Sequence, residues 1–265
     1  MDGVILEAGD TISPDLIKEV EDFFLELGIE PSESETPIKM EKSMSFDDPK
    51  DLAPLIEHTS LKPDVTKKQV IRLCKEAKRC DFYGVCVNPI FVKDAFQLLE
   101  GSGRSVISVV GFPLGANITS VKAEEARNAT HDRVNEIDMM IALGALKGRE
   151  YVSVYNDIRA VVAASKPIPV KVIIEAGLLD LKEKIYACVL ALWAGASCLK
   201  TSTGFAYKNK SAKIDDIPLM RAAVKNKIGI KAAGGISDYK TAKAMVEAGA
   251  SRIGSSSSVS IVMDL

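Results

Sequence analysis

The chain has 265 residues, of which 47% are hydrophobic and 26% charged, with a formal net charge of −2. That is ordinary globular composition with material for one large core, and no run approaches the roughly 18–20 uninterrupted apolar residues of a membrane span. The near-neutral total hides an asymmetry: residues 1–50 carry 14 acidic and 4 basic side chains, the remaining residues 22 acidic and 30 basic. A positive body steers anionic substrates. No basic run interleaves with aromatics, which make up only 6% of the chain, so nucleic acid is not expected as a partner.

The opening residues MDGVILEAGD lack the basic and apolar regions of a signal peptide. Cys74, Cys80, Cys86, Cys188 and Cys198 are odd in number and form no CxxC pair, which predicts free thiols in a reducing cytoplasm. His58 and His131 are the only histidines and lie far apart, so a histidine-rich metal site is not expected.

In chain order, a helix is predicted over about 13–28, with Ser13 as N-cap, Pro14 at the first helical position and Gly28 as the stop. The polar, acidic, proline-bearing stretch 29–51 reads as a linker. Residues 1–50 are therefore expected to be an acidic N-terminal extension that packs on the body or mediates assembly, and 51–265 the main domain. From Leu55 onward short apolar strands alternate with amphipathic helices. The strands are expected at 55–59, 84–87, 106–112, 136–141, 170–175, 198–201, 228–232 and 252–255. Strand then helix, eight times, predicts a TIM (β/α)8 barrel with an N-terminal helical extension. The competing open doubly wound sheet lacks a G-x-G-x-x-G after its first strand.

Four of these strands carry charges within apolar sequence: Asp138, Lys171 with Glu175, Lys200 and Lys231. Alternation places Lys171, Ile173 and Glu175 on one face. With neighbouring strands about 4.8 Å apart, an Asp–Lys–Lys–Lys row inside the barrel is expected. Two readings follow. The charges pair with Glu175 and Asp138 and seal the barrel mouth, because buried charges need partners. Alternatively, crowding and desolvation lower the lysine pKa values, and a neutral amine attacks a carbonyl to form a Schiff base. Asp138 or Glu57 would then shuttle protons. Position alone does not choose the nucleophile. Three Gly/Ser-rich turns, TSTGF, AAGGIS and GSSSS, follow the last three strands and suit an anion, phosphate in particular.

The segments LIEHTSLKPDVT, GVCVNP, VVGFPLGAN, NEIDMMIALGALK, VKVIIEAG, LKTSTGF, IKAAGGIS and RIGSSSS, in this order and spacing, resemble the deoxyribose-phosphate aldolase family over about residues 52–262. The resemblance implies a class I aldolase, free of metal and cofactor. It would reversibly cleave 2-deoxy-D-ribose 5-phosphate to acetaldehyde and D-glyceraldehyde 3-phosphate, in deoxyribonucleoside catabolism. It also implies that Lys200 is the Schiff-base lysine, Lys231 the lysine that tunes it and relays protons, and Asp138 the acid/base group. Lys171 would be a further active-site lysine and Glu57 a proton relay. Gly204, Gly234, Gly235, Ser256 and Ser257 would hold the phosphate, and Thr59 and Cys86 would line the pocket. A small phosphorylated sugar or aldehyde is the expected partner, without nucleic acid or membrane, in a cytoplasmic homo-oligomer (dimer or tetramer).

Departures from the family pattern are Glu57 in place of Asp, Ala142 in place of Asn, Ala176 in place of Thr, a Lys-rich stretch at 206–213, and an end at VMDL without the tyrosine some members use. They leave two alternatives open: a class I aldolase with altered acceptor range, and a non-catalytic phosphate-metabolite-binding barrel. An interaction protein built on the acidic prefix would leave the charges inside the barrel unexplained.

Overall fold

The structure is a computed structural model that describes residues 4–5, 11–32, 34, 36–38, 46–206 and 213–263. Part of the predicted linker, all but the ends of the Lys-rich 206–213 stretch, and the final two residues lie outside these. Eight parallel strands close into a barrel in sequence order: β1 Ile56–Ser60, β2 Gly84–Val87, β3 Ser105–Val110, β4 Glu136–Met140, β5 Val170–Ile173, β6 Cys198–Lys200, β7 Gly229–Ala233 and β8 Arg252–Ser255, which pairs back onto β1. The expected (β/α)8 barrel is present. Each strand matches its predicted position to within two residues at either end, and the C-terminal ends give way to the loops that bear the site.

The predicted N-terminal helix is α1, Pro14–Glu26, whose first turn is capped by Ser13 accepting from the Leu16 amide at 3.1 Å. The helices after the strands include α2 Lys67–Arg79, α3 Val92–Leu99, α4 Thr119–His131, α5 Leu143–Lys147, α6 Tyr151–Ser165, α7 Leu181–Trp193, α8 Asp216–Ala223, α9 Tyr239–Glu247 and α10 Ser258–Met263. Helix α7 (LKEKIYACVLALW) is apolar nearly all round, with an unbroken buried run from Ala187 to Trp193. A helix of that kind must be covered on both sides. The barrel covers one side of α7 and α1 the other, where the Phe24 ring lies 5.5 Å from Tyr186 and 6.2 Å from Trp193. Ile17, Val20 and Phe24 of α1 are buried, so the extension joins the main core. Beyond α1 the chain crosses beneath β6, with Ser32 N donating to Trp193 O at 2.7 Å and Ile38 N to Ser197 O at 2.9 Å. Among the described residues no helix is long and apolar enough to cross a membrane.

The barrel interior is divided. On β2 and β3 it is apolar, with Cys86, Ile107 and Val109 packed beside Leu61 and Phe112, apart from the main core. On β4–β8 and β1 it is charged. Asp138 pairs with Lys171 and Lys200 with Lys231, but Lys171 faces Cys198 and Lys200 faces Ile173. The single row expected from the sequence is therefore two layers. A closed barrel is sheared by about one residue per strand, so side chains at one height come from alternate strands. Following the register, Lys171, Lys231 and Glu57 share one layer with Ile107. Asp138, Lys200 and Cys86 share the next layer up with Gly254.

Candidate active site

Asp138 is the hub of the two layers. Its Oδ1 accepts from Lys171 Nζ at 3.0 Å, and its Oδ2 from Lys200 Nζ at 2.8 Å and Lys231 Nζ at 2.7 Å. Glu57 pairs closely with Lys231 and lies 3.3 Å from Lys171, and Glu136 pairs closely with Lys171. Three ammonium groups thus meet three carboxylates, all six side chains nearly or fully buried. Such a cluster is tolerable in a low-dielectric interior only when it is paired in this way. The longer Glu57, in place of the family's Asp, reaches Lys231 directly.

This arrangement reverses part of the expectation. Burial opposes the charge on Lys171, but Asp138, Glu136 and Glu57 outweigh it and hold its pKa well above the usual lysine range. Burial likewise opposes the charge on Lys231, and Asp138 and Glu57 raise it. Crowding by like charge is the smaller effect because each of these ammonium groups is matched by at least two carboxylates. Burial also disfavours the Asp138 carboxylate, yet the three lysines hold it well below the ordinary carboxyl range.

A cavity of about 970 Å³ opens above the cluster. Lys200 lines it, together with Thr59 and the turns 203–205, 234–237 and 254–257, so Gly204, Gly234, Gly235, Ser256 and Ser257 all face the same space. The structure brings these residues together around one space. Lys171, Lys231, Asp138, Glu57 and Cys86 lie beneath the cavity floor rather than on its surface. For Lys171 and Cys86, expected at the substrate, the positions are one step removed. Lys171 is occupied by three carboxylates. The Cys86 thiol lies behind Asp138, 4.0 Å from Oδ2, and burial pushes its pKa up to about 11. Glu57, Cys86 and Asp138 offer donor atoms within 4.8 Å of one another, a spacing that would suit a cation, but the Lys171 and Lys231 ammonium groups already lie against both carboxylates. Ala142 heads the short helix α5 without a side-chain cap bond, and Ala176 is buried beside the β5 end.

Four participants were not foreseen. Glu136 is two residues before Asp138, and strand alternation alone puts both carboxylates inside the barrel. Tyr83 donates a short hydrogen bond to Glu136 from below, and the Arg252 guanidinium stacks 4.0 Å over the Tyr83 ring. Phe112 places its ring 5.9 Å from Lys200 Nζ and packs edge-on against Phe205. Glu175, expected among the lysines, instead accepts hydrogen bonds from Thr203.

Gly254 shows how tightly the upper layer is built. A Cβ there would lie 2.8 Å from Lys231 Cε and 3.2 Å from Ala233 Cβ. The side chain that must yield is pinned at its tip by two carboxylates. Gly254→Ala is expected to destabilise the fold by about 1–3 kcal/mol, read by urea denaturation. It is also expected to lower kcat by at least about tenfold, read by steady-state kinetics, because Lys231 shifts relative to Asp138.

A closed parallel barrel whose C-terminal loops enclose a cavity with a lysine at its base is the architecture of (β/α)8 barrel enzymes. No protein-family model matches the chain. Curated relatives do: it is 51% identical over 220 residues to the deoxyribose-phosphate aldolase of Aciduliprofundum boonei, covering 82% of this chain and 98% of that one. Among solved structures it is similar to a candidate deoxyribose-phosphate aldolase from Coccidioides immitis (35% identity, TM-score 0.81, covering 94% and 97% of the two chains). It is also similar to the tetrameric deoxyribose-phosphate aldolase of Aeropyrum pernix (29%, TM-score 0.76, covering 96% and 98%). The chain belongs to the deoxyribose-phosphate aldolase family.

Proposed function

We propose that this chain reversibly cleaves 2-deoxy-D-ribose 5-phosphate to acetaldehyde and D-glyceraldehyde 3-phosphate through a Schiff base on Lys200. One observation carries the choice of nucleophile: of the three lysines bonded to Asp138, only Lys200 lines the cavity. Lys171 and Lys231 are held charged by their carboxylates and lie below the floor, so they serve as fixed cations and proton donors rather than as free amines.

The chemistry follows from the shared oxygen of Asp138. Lys200 passes a proton to Asp138 Oδ2 and its amine attacks C1 of the open-chain aldehyde; the carbinolamine takes up a proton and loses water to give the iminium. The C3 hydroxyl loses its proton to the Asp138–Lys231 pair, the C2–C3 bond breaks, and its electron pair moves into the iminium. D-Glyceraldehyde 3-phosphate leaves and an enamine remains. The pair returns a proton to C2, and hydrolysis releases acetaldehyde and regenerates Lys200. Lys171 fixes Oδ1, which leaves Oδ2 aimed at the reacting nitrogen. Gly204, Gly234, Gly235, Ser256 and Ser257 receive the phosphate across the cavity. Thr59, whose hydroxyl donates to the Glu57 carbonyl at 2.9 Å, forms the wall beside C1. Cys86 backs Asp138. The scheme uses no cofactor.

Free cysteines, with four of the five buried, support a reducing cytoplasm. The tetrameric Aeropyrum pernix relative supports a homo-oligomer, which light scattering on the purified chain would read.

Borohydride reduction in the presence of acetaldehyde, followed by peptide mass mapping, tests the nucleophile. The expected product is an ethyl group on Lys200. Modification confined to Lys171 or Lys231 would reassign the role, and no adduct from acetaldehyde or from the sugar phosphate would end the Schiff-base reading.

A further inference from the structure

Strand β5 ends irregularly. Ile174 N donates to Lys200 O at 3.0 Å and Ala176 N to Thr201 O at 2.8 Å, so two steps along the β5 side are matched by one on the β6 side. This is a bulge, and bulges re-aim side chains. Glu175 lies at its centre with φ +54°, a left-handed conformation that costs a non-glycine residue about 1 kcal/mol or more. Continued alternation would turn Glu175 into the barrel beside Lys171 and Ile173. The bulge turns it to the loop after β6 instead.

There Glu175, 3% exposed, meets Thr203. The Thr203 amide donates to both carboxylate oxygens at 3.2 Å, and the Thr203 hydroxyl donates to Oε2 in a short bond. The same hydroxyl accepts from the Phe205 amide at 3.0 Å. The Thr203 amide is therefore committed to the Glu175 carboxylate and the Phe205 amide to the Thr203 hydroxyl, so both amides flanking Gly204 are occupied within the turn. Gly204 is left between them at φ +82°, lining the cavity, with no atom within 4 Å of where a Cβ would stand. Burial pushes the Glu175 carboxyl above its ordinary range, while the Thr203 bonds and Lys200 act the other way.

We infer that Glu175 is a positioning residue for phosphate recognition: held out of register by the β5 bulge, it locks the 203–205 turn so that Gly204 presents its backbone to the substrate phosphate. This rests on the proposed phosphate-bearing substrate. Strain in the backbone and a buried carboxylate within a turn facing an anion site are both costs, and they make sense together if the fixed shape of that turn is what they secure. A purely structural strut would serve phosphorylated and unphosphorylated substrates alike.

The test compares kcat and KM for 2-deoxy-D-ribose 5-phosphate and for unphosphorylated 2-deoxy-D-ribose in the native chain and in Glu175→Gln. The glutamine cannot accept at both ends, so the turn relaxes. The preference for the phosphorylated sugar is expected to fall at least about tenfold, mainly through a higher KM for that substrate. A preference within twofold of the native chain overturns the inference. Should Glu175→Gln fail to fold, Thr203→Val removes the hydroxyl link between Phe205 and Glu175 and is read by the same ratio. A native enzyme without any preference for the phosphorylated sugar would instead remove the phosphate reading, and this inference with it.

Discussion

Lys200→Met is expected to lower kcat/KM for 2-deoxy-D-ribose 5-phosphate by on the order of 10⁴-fold or more, measured by coupled assay, while leaving the fold nearly as stable as before. The activity loss follows from chemistry alone: without the amine no iminium forms, and the departing acetaldehyde would have to leave as an unstabilised enolate. The small stability change follows from the contact pattern. Lys200 has one carboxylate contact, to an Asp138 oxygen that also holds Lys231. Methionine is close to lysine's stem in volume and fits the apolar surroundings of Phe112. Asp138 keeps two ammonium partners. The midpoint of thermal unfolding should move by only a few degrees. Lys231→Met is the informative contrast. It removes a cation paired with both Glu57 and Asp138, and loss of one member of a buried pair costs about 3–5 kcal/mol. An inactive Lys200→Met beside a far less stable Lys231→Met would separate the reagent from the scaffold. Equal destabilisation of the two would mean that Lys200 is a structural ion like its neighbours.

How much of this could be read beforehand depends on the kind of information each feature needs. The barrel was legible because a short apolar run followed by an amphipathic helical one, repeated eight times, has few other solutions. The buried lysines were legible because an ammonium in an apolar strand is rare enough to demand an explanation. Their layering was not, because it depends on shear, a property of closure rather than of any one strand. Glu136 stands two residues before Asp138 in NEIDMM, and the alternation applied to Lys171 and Ile173 would have found it. Glu175 was misplaced by that same rule, because the bulge that exempts it is a backbone conformation that VIIEAG does not announce. Helix α7 carried a usable signal in its all-round apolarity, which calls for cover beyond the barrel; the N-terminal helix supplies part of it, beside α6 and α8.

The lysine pKa values turn on the same distinction. Three ammonium groups on adjacent strands suggest mutual depression when counted by themselves. With Glu57, Glu136 and Asp138 included, charge balances, and two of the three lysines become harder to deprotonate than free lysine. The cavity then selects among them: the one ammonium that reaches solvent space is the one without a second carboxylate. Exposure and pairing point to the same residue by independent routes, which is firmer ground than proximity in a row.

Asp138→Asn should produce the largest combined effect on activity and stability, because it removes the acceptor common to all three lysines. Activity is expected to fall by about 10²–10⁴-fold, the range for loss of a positioned acid/base group. Stability at pH 7 is expected to fall by about 3–5 kcal/mol, since buried ammonium groups lose a partner and the new amide has donors to turn toward them. The pH dependence identifies the cause. Asp138 has a folded pKa held well below its unfolded value, so its contribution is present above the unfolded value of about 3.9 and is lost as pH falls through the folded value. The gap in stability between native chain and variant should therefore be full at neutral pH and shrink under strong acid. Glu136, also depressed, survives the substitution and keeps part of the acid limb in both proteins. At the other end, Lys171 and Lys231 have raised folded pKa values. Their contribution is complete below the unfolded value of about 10.4 and is lost as pH rises through the folded values. Without Asp138 those folded values drop toward the unfolded one, so above about pH 10.4 the native chain should lose more stability than the variant, and the gap should narrow there as well. Unfolding free energies measured by urea from about pH 1.5 to 12 would show both limbs. A gap that stayed constant across that range would mean that the carboxylate charge of Asp138 is not what holds the lysines.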